Sequence, residues 1–363
     1  MDIKELIISQ FIPSAENIEY ERFGSGHIND TYRVSLTRDG RPELYVLQRI
    51  NTSIFKDPRA LMNNFVSVTE YLEQKLKEEG ADSERGTLHV IKTVDGDNYH
   101  ENADGAWRLL DFVRGSVSYD KVETPEQFYM SAVAFGDFQR KLKDFPAEQL
   151  AETIPDFHNT PDRYKKFMEA VERDAVGRVK DVLPEIDFVR VRKDFAETLE
   201  RAHAEGRLPL KVTHNDTKLN NILFDEETGE ALCIVDLDTV MPGYSVNDFG
   251  DSIRFGATTA AEDEADLSLV NFDIELYELY VKGFIEGAAG GLSKGEIELL
   301  PIGAMMMTFE CGMRFLTDYL SGDTYFKTSR EGQNLDRARN QFKLVSDMEE
   351  SLDDMKKIIE KYI

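Results

Sequence analysis

Asp216, Asn221 and Asp236 are the side chains whose type and spacing could do chemistry in this sequence. They lie in Val212-Thr-His-Asn-Asp-Thr-Lys-Leu-Asn-Asn-Ile-Leu-Phe224 and in Cys233-Ile-Val-Asp-Leu-Asp238. An Asp stands five residues before an Asn, and a second Asp follows at the far end of a short predicted hairpin. A carboxylate on a polar loop can take the proton of an acceptor hydroxyl. An amide oxygen and a second carboxylate can hold Mg²⁺ against the phosphates of ATP. The spacing H-x-D-x-x-x-x-N, with a later metal-binding Asp, is therefore an arrangement for phosphoryl transfer.

The spacing has a geometric reason. Asn221 opens the first hairpin strand, Glu226-Glu-Thr-Gly229 supplies the turn, and Ala231-Leu-Cys-Ile-Val235 returns. A turn centred near Glu227-Thr228 brings Asn221 and Asp236 out at the same open end. There two ligands must converge within roughly 4–5 Å, each about 2.1 Å from one Mg²⁺. Asp216, on the preceding loop, then meets the acceptor without competing for the metal. Asp238 shares the face of Asp236 if the strand continues, so it is either a second metal ligand or a structural carboxylate. Downstream, Asp248-Phe-Gly250 also spells a metal-binding motif, but it comes 12 residues past Asp236 and follows Pro242-Gly243. Asp248 is read instead as holding the catalytic loop through backbone hydrogen bonds, or as capping a helix.

Elements that must position these residues divide the chain in two. Glu19-Tyr-Glu-Arg-Phe and Thr31-Tyr-Arg-Val-Ser-Leu flank a glycine turn, Gly24-Ser-Gly-His-Ile-Asn-Asp30, and Leu44-Tyr-Val-Leu-Gln-Arg-Ile50 reads as a third strand. Asp57-Pro58 starts a helix whose stripe is Leu61, Phe65, Val68, Leu72 and Leu76. Further strands are expected over 87–93 and 106–113. After Val113 the pattern turns helical, with helices expected over 125–145, 163–176, 186–205, 274–285, 297–319 and 336–363. The expectation is an α+β, protein-kinase-like architecture: a small strand-rich N-lobe (1–112) and a larger, mainly helical C-lobe (113–363), with nucleotide in the cleft between lobes. Gly24, Gly26, Gln48, Asp111 and Val113 are the candidate nucleotide contacts.

Composition excludes several alternatives. The formal net charge of −26 over 363 residues argues against nucleic acid, which needs a Lys/Arg surface. ATP is not excluded, because screening over about 8 Å mutes distant carboxylates and local ones recruit Mg²⁺. No apolar run near the length of a membrane span is evident, and Met1-Asp-Ile-Lys-Glu-Leu mixes charge into its apolar stretch, unlike a secretory signal. Cys233 and Cys311 are too few for a disulfide framework, so a reduced, cytoplasmic enzyme is expected.

At the catalytic loop the chain resembles the aminoglycoside phosphotransferase/choline kinase superfamily. Further blocks resemble bacterial N-acetylhexosamine 1-kinases: Gly26-His-Ile-Asn29, Leu47-Gln48, Asn51-Thr-Ser-Ile-Phe55, Ala134-Phe-Gly-Asp-Phe-Gln139, Asp236-Leu-Asp-Thr239, Asp248-Phe-Gly-Asp-Ser-Ile-Arg-Phe-Gly-Ala257 and Glu310-Cys-Gly-Met-Arg-Phe315. The resemblance spans about 20–350. It implies phosphorylation of the anomeric hydroxyl of N-acetylglucosamine or N-acetylgalactosamine with ATP and Mg²⁺. Asp216 would then be the base, and Asn221 and Asp236 the metal ligands. Arg314 and Tyr325 would contact the sugar, with His27 and His214 lining the site. Glu310, Arg314 and Asp318 stand at i, i+4 spacing, a ladder that would hold the guanidinium. Tyr325 could equally be buried or stacked on a sugar, and His214 reads as packed and loop-bracing more than as a proton carrier. Kinases usually carry a Lys on the third strand. Here Gln48 takes that place, as in the N-acetylhexosamine subgroup, and Arg49 faces the other side. That leaves open which cation meets the α/β phosphates, and whether Glu70 or Glu73 is the helix carboxylate. A kinase for another hydroxyl, or a nucleotide-binding pseudokinase, remains the alternative; oligomeric state and the preferred epimer are not legible.

Overall fold

Asp39-Gly40 is one of the two-residue turns that set the strand-rich unit. Both residues have positive φ (52° and 76°), the backbone that a two-residue hairpin turn requires. In this computed structural model, which describes residues 3–24 and 28–363, they join strand β2 (Asp30–Arg38) to β3 (Arg41–Ile50). With β1 (Glu16–Arg22), β4 (Val90–Ile91), β5 (His100–Asn102) and β6 (Gly105–Asp111), these form an antiparallel sheet in the order β1-β2-β3-β6-β4, with β5 also on β6. Period-two alternation sends Val34, Leu36, Tyr45, Leu47, Trp107 and Leu109 to one face. There they bury Ile7 and Ile8 of a short helix, α1 (Ile3–Ser9), that the sequence did not announce.

Helix α2 (Pro58–Glu79) begins as expected. Asp57 accepts the amide of Ala60 at 2.9 Å, Pro58 occupies the first turn, and Gly80 closes the end in a left-handed conformation. The strand-rich unit is discontinuous in sequence, comprising Met1–Lys121, Glu148–Pro155 and Asn220–Met241. The boundary expected at 112 therefore falls at 121, and the hairpin expected in the helical lobe belongs with the strands. Hydrogen bonding explains this: the hairpin strand Ile222–Asp225 pairs with Ala231–Ile234 on one side and with β7 (Ser116–Val117) on the other.

The second unit, Val122–Ala147, Asp156–Leu219 and Pro242–Ile363, is mainly helical. It contains α3 (Pro125–Lys141), α4 (Thr160–Arg173), α5 (Leu183–Arg190), α6 (Lys193–Ala196), α7 (Thr198–Ala204), α8 (Ser245–Gly256), α9 (Ile274–Ala288), α10 (Lys294–Ser321), α11 (Gln333–Glu350) and α12 (Leu352–Glu360). The helix expected over 186–205 is three short ones. Arg192 ends α5 by folding back to donate to the Phe188 carbonyl (2.9 Å) while pairing with Glu349. The helix expected over 336–363 breaks at Ser351. Helix α10 corrects one expectation: by length and composition it could cross a membrane, yet Phe309, Met313, Leu316 and Leu320 bury it in the unit's core.

Helix α8, absent from the sequence expectations, is where Asp248-Phe-Gly250 resides. A Cβ on Gly250 would lie 2.3 Å from the Gly303 carbonyl of α10, and one on Gly303 would lie 2.3 Å from the Val246 carbonyl. The glycine of that motif thus permits close helix packing. Burial raises the thiols of Cys233 (to about 12) and Cys311 (to about 11), so neither is poised as a nucleophile.

Candidate active site

The loop carrying Asp216 is held from beneath by the first turns of α8. The buried carboxylate of Asp248 accepts the backbone amides of His214 (2.9 Å) and Asn215 (2.8 Å) and the side-chain amide of Gln139 (2.9 Å). Asp251 accepts the amide of Thr217 at 3.1 Å, and Ser252 donates to the Thr217 carbonyl at 2.7 Å. Asn215 takes a left-handed conformation (φ 66°), which turns the chain so that successive amides reach these acceptors. Asp248 is therefore the loop-holding residue, the first of the two roles read for it.

His214 is fully buried, edge-on to Phe135 and Phe138, and its Nδ1 accepts the Asp216 amide at 3.3 Å. It braces the loop and does not present a face to substrate, which corrects its place among the sugar-lining residues. Beside Asp216 stands Lys218, whose Nζ lies 2.6 Å from the Asp216 carboxylate. Burial alone would lower the Lys218 pKa, but Asp216 and Asp251 outweigh it and hold the amine above its ordinary value. Sequence reasoning missed this lysine; its signal was its place two residues after Asp216.

In the strand-rich unit, the hairpin brings Asn221 and Asp236 to one end as its register requires. Ile222 lies opposite Ile234, and the Val235 amide donates to the Asn221 carbonyl at 2.9 Å. Asp236 follows in a left-handed conformation (φ 60°) that turns the chain out of the strand. Asp238 consequently does not share its face. It is only 3% exposed, and its carboxylate is taken by Arg108 on one oxygen and by Asn29 on the other. That makes it the structural carboxylate of the two alternatives, and the reading of it as a metal ligand is corrected.

Asn221 and Asp236 supply one amide and one carboxylate, both hard oxygen donors. Among the described residues no group of three or more His, Cys, Asp or Glu could hold a metal by itself. Such a short donor set fits Mg²⁺, which keeps positions for phosphate and water.

Arg108 is the cation that Gln48 meets within this unit. Gln48 and Arg108 are register partners on β3 and β6. Arg108 Nε donates to Gln48 Oε1 at 2.8 Å, and Gln48 Nε2 donates to Thr31 at 3.1 Å. The guanidinium, 1% exposed, stacks 4.5 Å from the Phe65 ring of α2. Its carboxylate partner comes from Asp238 and not from α2, where Glu70 is exposed and Glu73 pairs with Lys77. Arg49 does face the opposite side, toward Trp107. Asp111 ends β6 with its amide on the His89 carbonyl (3.0 Å), and buried Val113 follows. Gly24 has the positive φ (79°) of a turn glycine, whereas Gly26 and His27 lie outside the described residues.

Arg314 and Tyr325 come together in the helical unit, but not through the expected ladder. Glu310 is buried and engaged by His158 (3.0 Å) and Thr160 (2.6 Å). Asp318 accepts the amides of Thr324, Tyr325 and Phe326 (2.8–2.9 Å), shaping the 323–326 loop. Arg314 is left among the rings of Phe157, Tyr325 and Phe326, at 5.5–6.0 Å. Tyr325 is 68% exposed, open to stacking instead of buried. His158 links the two regions, with Nδ1 toward Glu310 and Nε2 3.4 Å from the Asn215 carbonyl.

Burial would raise the Glu310 pKa, but His158, Arg314 and Thr160 outweigh it and hold the carboxyl below its ordinary range. A depressed folded value means its stabilisation is present above the unfolded value of about 4.3 and is lost as pH falls through the lower folded value. Glu310→Gln is expected to lower the unfolding midpoint at pH 7. It should also flatten the acid limb of a Tm-versus-pH curve; an unchanged limb would show that Glu310 carries none of that dependence.

The model of the phosphotransferase enzyme family, APH, matches residues 19–280. Among solved structures, the chain is similar to a microcompartment-associated aminopropanol kinase (16% identity, 97% of this chain and 98% of that one, TM-score 0.59). It is similar also to choline kinase from Cryptosporidium parvum Iowa II (14% identity, 98% and 97%, TM-score 0.59). A spectinomycin phosphotransferase in complex with ADP and spectinomycin matches at 11% identity (96% and 99%, TM-score 0.55). At these identities the likeness is one of fold, and the fold is the protein-kinase-like α+β class expected from the sequence.

Proposed function

Because this chain belongs to the phosphotransferase enzyme family, we propose that it phosphorylates the anomeric hydroxyl of an N-acetylhexosamine with Mg²⁺-ATP, giving the sugar 1-phosphate. At the coarser level it is an ATP-using small-molecule kinase of the aminoglycoside phosphotransferase/choline kinase superfamily. A cytoplasmic setting is part of the proposal.

One observation carries the choice of acceptor: Arg314 stands beside exposed Tyr325 in no ion pair, its charge felt by Glu310, which His158 links to the Asp216 loop. A guanidinium donates to hydroxyl and amide oxygens and repels ammonium groups. Tyr325 offers a flat face for a sugar ring. These features favour a neutral, oxygen-rich acceptor over amine-bearing ones such as aminopropanol or choline, and the sequence blocks shared with N-acetylhexosamine 1-kinases point the same way.

Asp216 accepts the proton of the acceptor hydroxyl. An anomeric hydroxyl is more acidic than an ordinary alcohol, so a carboxylate suffices as base. Lys218 keeps a positive charge at that carboxylate and is placed to offset negative charge near it. Asn221 and Asp236 would hold Mg²⁺, which when bound screens the phosphate charge of the nucleotide.

The test is ATP consumption with Mg²⁺ against N-acetylglucosamine, N-acetylgalactosamine, glucose, choline and kanamycin, with phosphorus NMR of the product. Phosphate on the anomeric oxygen of an N-acetylhexosamine is expected. Turnover only with choline or kanamycin would overturn the acceptor assignment, and none with any acceptor would favour the pseudokinase.

A further inference from the structure

Arg163, in the first turn of α4, is a cation that no motif or spacing singles out. Its Nη2 donates to the carbonyl of Phe157 at 3.0 Å, and the ring of that same Phe157 lies 5.7 Å from the Arg314 guanidinium. Two arginines thus meet at one residue, in a chain with 69 acidic and 43 basic side chains. Other partly buried arginines of this unit have carboxylate partners: Arg178 pairs with Asp323, Arg192 with Glu349, and Arg254 with Asp251 and Glu262. Among the described residues Arg163 and Arg314 form no ion pair.

The nearby carboxylates are already committed. Glu310 is held by His158 and Thr160, Asp162 pairs with Lys166, and Asp318 is occupied by the 324–326 amides. Nε of Arg163 is buried without an acceptor. Burial first, and then the like charge of Arg314, hold the Arg163 pKa below its ordinary value. Two cations share Phe157, and Arg163, largely desolvated and with Nε unsatisfied, gains hydrogen bonds when acceptor oxygens arrive. Such an arrangement attracts a ligand rich in carbonyl and hydroxyl oxygen, and it disfavours an ammonium group beside two like charges.

We infer that Arg163 is a second acceptor-site guanidinium, paired with Arg314 at Phe157, and that the pair selects uncharged, oxygen-rich acceptors against cationic ones. The inference rests on the acceptor lying beside Arg314. Arg163 is a specificity residue in this assignment, since proton transfer remains with Asp216.

The experiment compares kcat/KM for N-acetylglucosamine, glucose and glucosamine, at a pH where the glucosamine amine is protonated, in the intact enzyme and in Arg163→Gln and Arg163→Lys. Glucose and glucosamine differ at one substituent, so their ratio isolates charge. In the unaltered enzyme the ratio should favour glucose by about ten-fold or more. Arg163→Gln should reduce the preference by about ten-fold, with the change carried by KM and not kcat; Arg163→Lys should keep the discrimination. An equal loss for all three sugars would indicate a merely structural role and overturn the inference, as would an unchanged ratio in Arg163→Gln. If the enzyme uses another neutral acceptor, the proposed function fails but the inference is read on that acceptor and its amine analogue. Efficient use of choline or kanamycin would sink both. Should no acceptor turn over, calorimetric binding of the same three sugars decides, and equal or absent binding overturns it.

Discussion

Asp216→Asn is expected to lower kcat by about 10²–10⁴-fold, the usual contribution of a positioned general base, while Mg²⁺-ATP binding changes little. The substitution keeps the shape of the side chain and removes its proton affinity. The loop should survive it, because its amides are held by Asp248 and Asp251 and not by Asp216 itself. Lys218 retains the charge of Asp251 nearby. The proposed metal ligands Asn221 and Asp236 belong to the other unit of the chain. Steady-state kinetics would give the loss in kcat, and calorimetry with Mg²⁺-ATP would give the binding. A folded Asp216→Asn enzyme that no longer binds nucleotide would contradict the assignment of Asp216 as base, as would one that turns over at the original rate.

How far the site was legible depended on whether its residues are near in sequence or near only in space. The 212–238 segment could be read because Asp216, Asn221, the hairpin turn and Asp236 are local, and strand register carries Asn221 and Asp236 to the same end. The same locality misled at Asp238. Extending the strand by two residues put it beside Asp236, whereas the left-handed turn at Asp236 sends it inward to Arg108. Arg314 was found through resemblance, but its supposed partners were inferred from helical spacing. Spacing on one helix cannot show that His158 and Thr160, some 150 positions away, have claimed Glu310. Helix α8 escaped because two glycines and several polar residues obscure its apolar stripe, and two of those polar residues, Asp248 and Asp251, are the acceptors that hold the Asp216 loop. Arg108 lies in β6, a strand buried almost throughout, and nothing local could name Asp238, 130 residues later, as its partner.

That buried pair supports the second large expected effect. Arg108→Met removes the charge opposite Asp238 but leaves Asp238 buried, and breaking one side of a buried ion pair typically costs about 3–5 kcal/mol. Against a whole-domain stability of about 5–15 kcal/mol this is a severe loss. Arg108→Met combined with Asp238→Asn should recover much of it, because the second change removes the stranded charge and leaves a side chain that Asn29 can still address. Urea unfolding of the four members of this cycle would measure the coupling. A double variant no more stable than Arg108→Met would show that the pair does not act as a unit. The same cycle reaches function through Asp236, two residues before Asp238. The turn is also pinned through its backbone, since Thr153 donates to the Asp238 carbonyl at 3.0 Å and Asn64 to the Val240 carbonyl at 3.0 Å. Loosening the Asp238 side chain should therefore displace Asp236 without unravelling the hairpin. The expected result for Arg108→Met, measured where it remains folded, is a higher Mg²⁺ concentration for half-maximal rate with a smaller change in rate at saturating Mg²⁺. A variant that loses stability but keeps its Mg²⁺ dependence would separate the two roles and confine Arg108 to the fold.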